Sequence, residues 1–374
     1  MRTLALVESP AQLLNVAEWA YCARQGEAEA HQGEDSAVQV AVLLPLDPWS
    51  RVQLARVAEL TAGHGLDITH FEIRSGTVSR MRQFATVRRL VAGAERLVVG
   101  DLFSGMVQTL LPSAKARDLV IVDDGTATTE FVRIVMEGRR LTRWHQQTNG
   151  AGRGGRAMDW LLEPSLLRSL FTCMEVAQPP GIRVVSNAYA WTRSLFPHPT
   201  VRTGADLLGT SLVETGIVGE ERYLDAVRAI VRARGVDRYL AHRRESRAKL
   251  RRIAEATGVS VLRPDLPLEP LAAQGPIGHT VLTFPSTVAH TLPIVLRGLG
   301  IRIELCEIDE AWFTPGTTSH AADFLREMAE SAKQRHGLPS MRAGSGSGSF
   351  PYAVDRPGHR SSRGAPLDGQ GRQI

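Results

Sequence analysis

Short apolar runs alternate with amphipathic segments of helical length along most of this 374-residue chain. In the first half, the apolar runs predict strands at residues 4–7, 38–44, 68–73, 97–99 and 119–122. The segments between them predict helices at residues 11–23, 50–62, 79–92 and 103–111. Strands separated by helices of this length form right-handed βαβ units, so we expect a parallel sheet.

A second alternation follows the segment 178–199, which contains proline and tryptophan. It predicts helices at 220–233, 246–256 and 287–297, and strands at 238–241, 259–262, 280–283 and 301–305. Because the chain is too long for one ordinary core, we expect two α/β domains, residues 1–185 and 186–335.

Two segments lack this alternation. Residues 139–156 are rich in Arg, Gly and Gln and predict a long mobile loop. Residues 336–374, dominated from Gly344 onward by Gly, Ser, Pro and Arg, predict a disordered tail, because such a composition buries too little apolar surface.

Composition narrows the class of protein. The three cysteines are widely spaced, which argues against a disulfide framework or a Cys-rich zinc site and suits a reducing compartment. With neither a signal-peptide pattern nor an apolar run of about 18 residues, we expect a cytoplasmic protein. The net charge of +5 favours an anionic partner: a nucleotide, an acidic glycan, nucleic acid or a membrane surface.

Polar residues directly after predicted strands are the candidate site, because parallel sheets bind ligands beyond their carboxyl ends. Asp123-Asp124-Gly125 follows the strand 119–122. One carboxylate beside another, partly desolvated, has a raised pKa and suits a general base. An N-cap aspartate in an ordinary strand-to-helix turn explains the same residues. Glu8-Ser9 and Asp101 follow two further strands and either line the cleft or cap helices.

The second domain offers cations and hydroxyls at equivalent positions. His242 and Arg243 follow a strand, and an imidazolium beside a guanidinium forms a clamp for a nucleotide phosphate. Ser286 and Thr287 stand between a strand and a helix, where hydroxyls and free N–H groups bind anions. A solvated surface histidine and ordinary N-capping are the alternatives.

These motifs resemble those of bacterial sialyltransferases and polysialyltransferases. That family carries an acidic-acidic-Gly motif, a His-Pro motif and a Ser/Thr motif in this order; Asp123-Asp124-Gly125 matches the first and Ser286-Thr287 resembles the third. The opening Glu8-Ser9-Pro10-Ala11-Gln12 is similar as well. The chain departs from the family at His242, which is followed by Arg243 instead of proline. His198-Pro199 is a second candidate, but no predicted strand precedes it, so we prefer His242.

The resemblance implies a GT-B fold of two Rossmann-like domains facing across a cleft, and an inverting glycosyltransferase that needs no metal. It implies a CMP-sialic acid donor, or another CMP-activated acidic sugar, and a glycan acceptor of a bacterial capsule or surface. Asp123 or Asp124 would deprotonate the acceptor. His242 would assist departure of CMP, and Gly125, Arg243, Ser286 and Thr287 would contribute to donor binding. If the protein acts at the inner face of the membrane, the resemblance implies that it associates with the membrane peripherally.

Three alternatives remain open. A metal-dependent glycosyltransferase normally shows Asp-x-Asp, whereas here Asp123-Asp124 are adjacent and residues 307–310 predict a solvated acidic loop. A non-catalytic nucleotide- or nucleic-acid-binding protein fits the basic charge, although the aromatic residues are few and the arginines form no single stripe, so we expect no nucleic acid. A nucleotide-sugar epimerase or hydrolase could share the architecture. Because no Gly-x-Gly-x-x-Gly follows the first strand, a dehydrogenase is disfavoured.

Overall fold

Two parallel sheets organise the chain. The structure is a computed structural model that describes residues 1–26, 37–74, 78–139, 141 and 151–342. The N-terminal sheet contains β1 (Thr3–Val7), β2 (Val38–Leu43), β3 (Leu66–Phe71), β4 (Arg96–Val99), β5 (Asp118–Val122), β6 (Leu167–Thr172) and β7 (Arg183–Ser186). Its order is β3-β2-β1-β4-β5-β6-β7, and all of its pairs are parallel.

The C-terminal sheet contains β8 (Val201–Leu208), β9 (Val236–Leu240), β10 (Ser260–Leu262), β11 (Ile277–Thr283), β12 (Arg302–Glu307) and β13 (Ser340–Arg342). Its order is β10-β9-β8-β11-β12-β13, again parallel throughout. In each sheet the strand order reverses at one point, between β1 and β4 and between β8 and β11. Loops diverge at such switch points and leave a crevice for a ligand.

Helices connect the strands of both sheets. They are α1 (Pro10–Gln25), α2 (Pro48–Leu60), α3 (Val78–Gly93), α4 (Gly105–Leu110), α5 (Thr126–Met136), α6 (Ala151–Leu161), α7 (Ala190–Leu195), α8 (Glu220–Arg234), α9 (Arg247–Thr257), α10 (Leu268–Gln274), α11 (Val288–Val295) and α12 (Ser319–His336). Short 3-10 turns occupy Leu111–Ser113 and Glu310–Trp312.

Helix α1 shows how local sequence fixes an element beside the site. The Ser9 hydroxyl accepts a hydrogen bond from the Gln12 N–H, Pro10 occupies the first turn, and Gly26 ends the helix with φ 76°. Its apolar side, including Leu13 and Val16, packs on one face of the N-terminal sheet. This anchors the start of the helix directly after β1.

The predicted elements of the first half are confirmed within a few residues. The sequence pattern did not indicate β6, β7 and β8, whose sequences mix polar and apolar residues, nor the helices α5, α7, α10 and α12. The three cysteines are free and buried, in agreement with the absence of a disulfide framework.

Three predictions about irregular segments need correction. The predicted mobile loop 139–156 is wrong from residue 151 onward, because α6 begins there and buries Ala157 and Leu161; residues 140 and 142–150 lie outside the described residues. Within the predicted tail 336–374, Ser340–Arg342 form a strand, and residues 343–374 lie outside the described residues. The predicted acidic loop starts inside β12, where Glu307 accepts hydrogen bonds from Ser340 and Arg342.

Candidate active site

Most of the candidate polar residues lie at the carboxyl ends of neighbouring strands. Glu8 follows β1, Asp101 follows β4 and Asp124 follows β5, and these three strands are adjacent in the sheet. In the second sheet, His242 follows β9 and Ser286 follows β11, with β8 between them. The positions predicted from the sequence therefore collect at one edge of each sheet.

Asp123 is committed to internal hydrogen bonds. Its side chain is 1% exposed, and Oδ1 accepts from the Thr128 hydroxyl at 2.6 Å and the Gly125 N–H at 3.2 Å. Oδ2 accepts from the Thr172 hydroxyl at 2.8 Å and the Cys173 N–H at 3.2 Å. Burial raises the pKa of this carboxyl and the hydrogen bonds oppose that shift. With both oxygens occupied, Asp123 ties β5 to the end of β6.

Asp124 has the opposite environment. It is half-buried, its N–H donates to the Thr128 hydroxyl at 3.0 Å, and its Oδ1 accepts from Ser9 Oγ at 3.4 Å. Burial and the nearby charge of Asp101 raise its pKa to about 7, against a hydrogen bond from Gln12 and the positive charge of Arg243. Asp124 is therefore a carboxyl group poised between its two protonation states near neutral pH.

The predicted cleft-lining residues surround Asp124. Glu8 forms an ion pair with Arg74, and burial raises its pKa while Ser104 and Arg74 oppose the shift. Asp101 is 5% exposed and accepts a hydrogen bond from the Phe103 N–H at 2.8 Å. Asp101 therefore shapes its own loop, in addition to placing a negative charge near Glu8 and Asp124.

Gly125 brings the two sheets into contact at this point. It has φ 64°, and a Cβ built on it would lie 2.4 Å from Thr287 Oγ1 and 3.4 Å from Thr287 Cβ. Because a side chain at this position would force Thr287 to shift, both the backbone angle and the close approach favour glycine. The acidic motif and the Ser/Thr motif, 162 positions apart in sequence (287 − 125), are therefore neighbours.

Thr287 and Ser286 precede α11 without capping it. Thr287 is the N-cap residue, but its side chain makes no capping hydrogen bond, and the Ser286 hydroxyl donates instead to the Phe284 carbonyl at 3.0 Å. The alternative of ordinary N-capping by these hydroxyls is thus not what the structure shows. The N-terminus of α11, the positive end of the helix dipole, directly follows Thr287 and so lies close to Gly125, which suits an anion.

The predicted imidazolium at His242 needs correction. Burial, together with the positive charges of Arg243, Arg244 and Lys249, lowers the pKa of His242 to about 3, so the ring is neutral at pH 7. Its Nδ1 accepts a hydrogen bond from the Arg244 N–H at 3.2 Å, which assigns the ring proton to Nε2. His242 therefore offers a neutral N–H donor in a cationic loop, and guanidinium groups supply the charge.

Arg243 lies in the same loop as His242 and is close to several carboxylates. Within the described chain its buried Nε has no hydrogen-bond partner. Burial and Arg244 lower the pKa of Arg243, whereas the carboxylates of Asp124, Asp47 and Glu269 raise it. Glu269 is 8% exposed, accepts a hydrogen bond from the Thr291 hydroxyl at 2.7 Å, and has its pKa raised by burial. The guanidinium thus lies among carboxylates of both domains.

Sequence reasoning missed several residues of this site. Asp47 follows β2 and precedes a proline, so the rule that selected the other loops could have found it. Gln12 lies in the first turn of α1, and Glu269 lies in α10, a helix that the sequence pattern did not predict. No sequence pattern marked either residue as part of a site. The second histidine candidate, His198, is exposed and lies just before β8, at the amino end of that strand, so the structure does not bring it to the site.

Two further features concern metal binding and membrane crossing. In the ranges that the structure describes, no group of three or more His, Cys, Asp or Glu side chains is arranged to hold a metal ion. Across the same residues, no helix combines the length and apolar character needed to cross a membrane.

Comparison with known proteins gives a fold and no family. No family model and no curated protein matches the chain. Among solved structures, a putative UDP-N-acetylglucosamine 2-epimerase from Listeria monocytogenes is similar with a TM-score of 0.50 and 11% identity, covering 91% of each chain. An α/β-galactoside α-2,3-sialyltransferase from Photobacterium phosphoreum has a TM-score of 0.48 and 10% identity, covering 91% of this chain and 98% of that one. The E. coli heptosyltransferase WaaC has 0.40 and 12%, covering 88% and 100%.

At such identities the likeness concerns the fold. The chain has the GT-B type of architecture, with two Rossmann-like domains built on parallel sheets of seven and six strands. The fold class expected from the sequence is therefore confirmed.

Proposed function

We propose that this chain is an inverting, metal-independent glycosyltransferase that transfers sialic acid or a related acidic sugar from a CMP-sugar to a glycan hydroxyl. One observation carries the proposal: the half-buried Asp124 carboxyl, with a pKa near 7, lies opposite a cationic loop and a helix N-terminus of the other sheet. A base and an anion site on opposite sides are what transfer from a nucleotide-activated sugar requires.

In the proposed reaction, Asp124 accepts the proton of the acceptor hydroxyl as that oxygen bonds to the anomeric carbon. The bond from the anomeric carbon to the CMP phosphate oxygen breaks, and its electron pair stays on CMP. Attack from the face opposite to the leaving nucleotide inverts the anomeric centre. The negative charge that develops on the phosphate is stabilised by Arg243, by the Nε2–H of His242, and by the Thr287 loop at the start of α11.

The two aspartates have different roles in this proposal. Asp124 is the base, because its carboxyl is only half-buried and titrates near neutral pH. Asp123 is a positioning residue, because its hydrogen bonds to side-chain and main-chain groups hold the β5–α5 turn. The same turn sets Gly125 against Thr287 and so fixes the distance between base and anion site.

A nucleotide panel followed by a turnover assay tests the proposal. The full chain is screened by thermal shift against CMP, CDP, UMP, UDP, GDP and NAD, and selective stabilisation by CMP is expected. Saturation at about 100 times Kd adds about 2.7 kcal/mol to the free energy of unfolding. Release of CMP from CMP-sialic acid should then require a glycan acceptor and survive a chelator.

Other outcomes identify other functions. Selective stabilisation by UDP or GDP would contradict the CMP donor, and loss of turnover in chelator would contradict metal independence. Consumption of the nucleotide sugar without any acceptor would indicate an epimerase or hydrolase. If no nucleotide of the panel stabilises the protein and random oligonucleotides bind in a salt-sensitive way, the protein is a nucleic-acid-binding protein. We place the reaction in the cytoplasm, at the inner face of the membrane, in synthesis of a bacterial capsule or surface glycan.

A further inference from the structure

The loop that carries His242 and Arg243 closes on a buried carboxylate. Glu245 lies three positions after His242, is 2% exposed, and accepts the His242 N–H at its Oε2 at 2.6 Å. In return, the Glu245 N–H donates to the His242 carbonyl at 3.0 Å. Arg263 also donates a hydrogen bond to the Glu245 carbonyl. The path of the loop between His242 and Glu245 therefore depends on the Glu245 carboxylate.

The second oxygen of Glu245 is held by two buried donors. Oε1 accepts from the Tyr239 hydroxyl at 2.7 Å and lies 2.8 Å from Lys249 Nζ, and both of these residues are at most 2% exposed. A hydroxyl has one proton, which Tyr239 gives to Glu245, so the Tyr223 hydroxyl at 2.7 Å is the donor to Tyr239. The carboxylate thus cannot turn away from His242 without losing partners on its other side.

Lys249 ties this loop to the loop that follows β8. Its Nζ donates to the Thr210 carbonyl at 2.9 Å and to Glu214 Oε2 at 3.1 Å, both of which lie after β8. The other oxygen of Glu214 accepts from the Ser246 N–H at 3.0 Å, directly before α9. Because β8 and β9 are neighbours in the sheet, one lysine fixes the two loops relative to each other.

Net stability is not what distinguishes this ion pair. Burial raises the pKa of Glu245 and the charge of Lys249 opposes that shift, so the attraction mainly offsets the cost of desolvation. Replacing a buried ion pair by packed apolar side chains often leaves stability unchanged, whereas removing one partner is strongly destabilising. The consequence specific to this pair is therefore directional, because it holds an acceptor oxygen at the His242 N–H.

We propose that Glu245, held by Lys249 and Tyr239, is a positioning residue that sets the loop of His242 and Arg243 against the phosphate of the nucleotide donor. The inference rests on the proposed function, because it takes this loop as the phosphate site. Glu245 is buried and acts through the main chain of His242. A displacement of that main chain would move the Nε2–H of His242 and the guanidinium of Arg243 together.

Glu245→Gln breaks this arrangement while it keeps the size of the side chain. The amide has one acceptor oxygen, so either the His242 N–H or the donors Tyr239 and Lys249 must face an NH2 group. We expect CMP to bind about tenfold more weakly, the effect of losing one charge-assisted hydrogen bond to the phosphate. Cytidine, which lacks the phosphate, should bind unchanged. Titration of the full chain with both ligands gives the ratio of their affinities, which a loss of stability alone would not alter.

Glu304→Gln is the matched control in the same domain. Glu304 is 3% exposed, and its carboxylate oxygens lie 2.7 Å from the Nε atoms of Arg234 and Arg302. Arg234 ends α8 and Arg302 begins β12, so these ion pairs lie at the edge of the sheet opposite to the loops. The control should lower the melting temperature and leave the affinities for CMP and cytidine unchanged.

Tyr239→Phe is a milder change in the same network. It removes one donor to Glu245 and keeps the ring in place, so CMP should bind about threefold more weakly and cytidine should bind unchanged. Thermal melting shows which variants are folded. If Glu245→Gln does not fold, Tyr239→Phe carries the test, and an unchanged CMP affinity in that variant would overturn the proposal.

Other results would also overturn it: an unchanged CMP affinity in folded Glu245→Gln, an equal loss of CMP and cytidine affinity there, or the same loss of CMP affinity in Glu304→Gln. Each of these requires that the wild type binds CMP, so the proposed donor would stand. If the wild type binds UDP or GDP instead, the same comparison with that nucleotide and its nucleoside tests the loop. A wild type that binds no nucleotide of the panel contradicts the proposed function, and this inference with it.

Discussion

The loops at the edges of the two sheets carry opposite charge. The N-terminal edge collects the carboxylates of Glu8, Asp101 and Asp124, whereas the C-terminal edge collects Arg243 and Arg244 around a neutral His242. Burial disfavours the charged form of a group on both sides, and it therefore shifts the pKa of an acid and the pKa of an imidazole in opposite directions. It raises the pKa values of Glu8 and Asp124 and lowers that of the His242 imidazole far below neutrality, an arrangement that suits proton acceptance on one side and anion binding on the other.

The largest effect should come from removing the charge of Asp124. Asp124→Asn keeps the size of the side chain but cannot accept the acceptor's proton, so we expect turnover to fall about 10²- to 10⁴-fold. CMP affinity, measured by titration, should stay within about threefold, since the base does not hold the nucleotide.

Asp123→Asn is the matched control, one position away. Its amide cannot accept from all the donors that bind the carboxylate, so we expect a loss of about 1–3 kcal/mol in the free energy of unfolding for each donor left unpaired. The variant should melt at a lower temperature and, while folded, lose far less turnover than Asp124→Asn. Normal turnover in Asp124→Asn, with loss in Asp123→Asn, would reverse the assignment.

A smaller effect should follow from separating the two edges. Gly125→Ala places a Cβ 2.4 Å from Thr287 Oγ1, so the Thr287 side chain or one of the two loops has to move. Because misplacement of reacting groups by about 1 Å costs roughly 100-fold, we expect a loss of that order in kcat. Gly138→Ala is the control, since Gly138 has φ 63° and no atom of the described residues lies within 4 Å of the added Cβ.

Both substitutions place alanine at a positive φ, and the ψ of −122° at Gly125 adds to its backbone cost. Only Gly125→Ala also disturbs the approach of the two sheets. Equal turnover in the two variants would mean that the contact of Gly125 with Thr287 is irrelevant to activity.

On the cationic side, Arg243→Gln should weaken CMP binding by roughly tenfold, the value of one lost charge-assisted hydrogen bond. Arg244→Gln is the matched control, because Arg244 is exposed and is better screened by solvent, so its removal should change affinity by less than about threefold. Titration with CMP measures both. An effect of Arg244→Gln as large as that of Arg243→Gln would show that the loop acts only through its general charge.

The sequence predicted the positions of this site better than the state of its groups. Polar residues after apolar runs identified both edges, because strand ends of a parallel sheet converge whatever the fold around them. The sequence could not show that Asp123 and Asp124 differ in environment. Two hydrogen-bond partners of Asp123, Thr172 and Cys173, lie at the end of β6, a strand without a clear apolar pattern. Nor could it show that His242 is neutral, because its pKa depends on burial and on surrounding cations, including Lys249.

The pH dependence of turnover should reveal how the two edges interact, with the smallest effect of those considered. Asp124 acts as a base only when ionised, so kcat/KM should rise with pH through about 7, the raised pKa of this carboxyl. The positive charge of Arg243 holds that pKa down, so its removal in Arg243→Gln should move the rise to higher pH. Arg244→Gln should leave the midpoint in place. A midpoint that moves to lower pH in Arg243→Gln, or one that persists near 7 in Asp124→Asn, would mean that another group titrates and that the two edges are not electrostatically coupled through this pair.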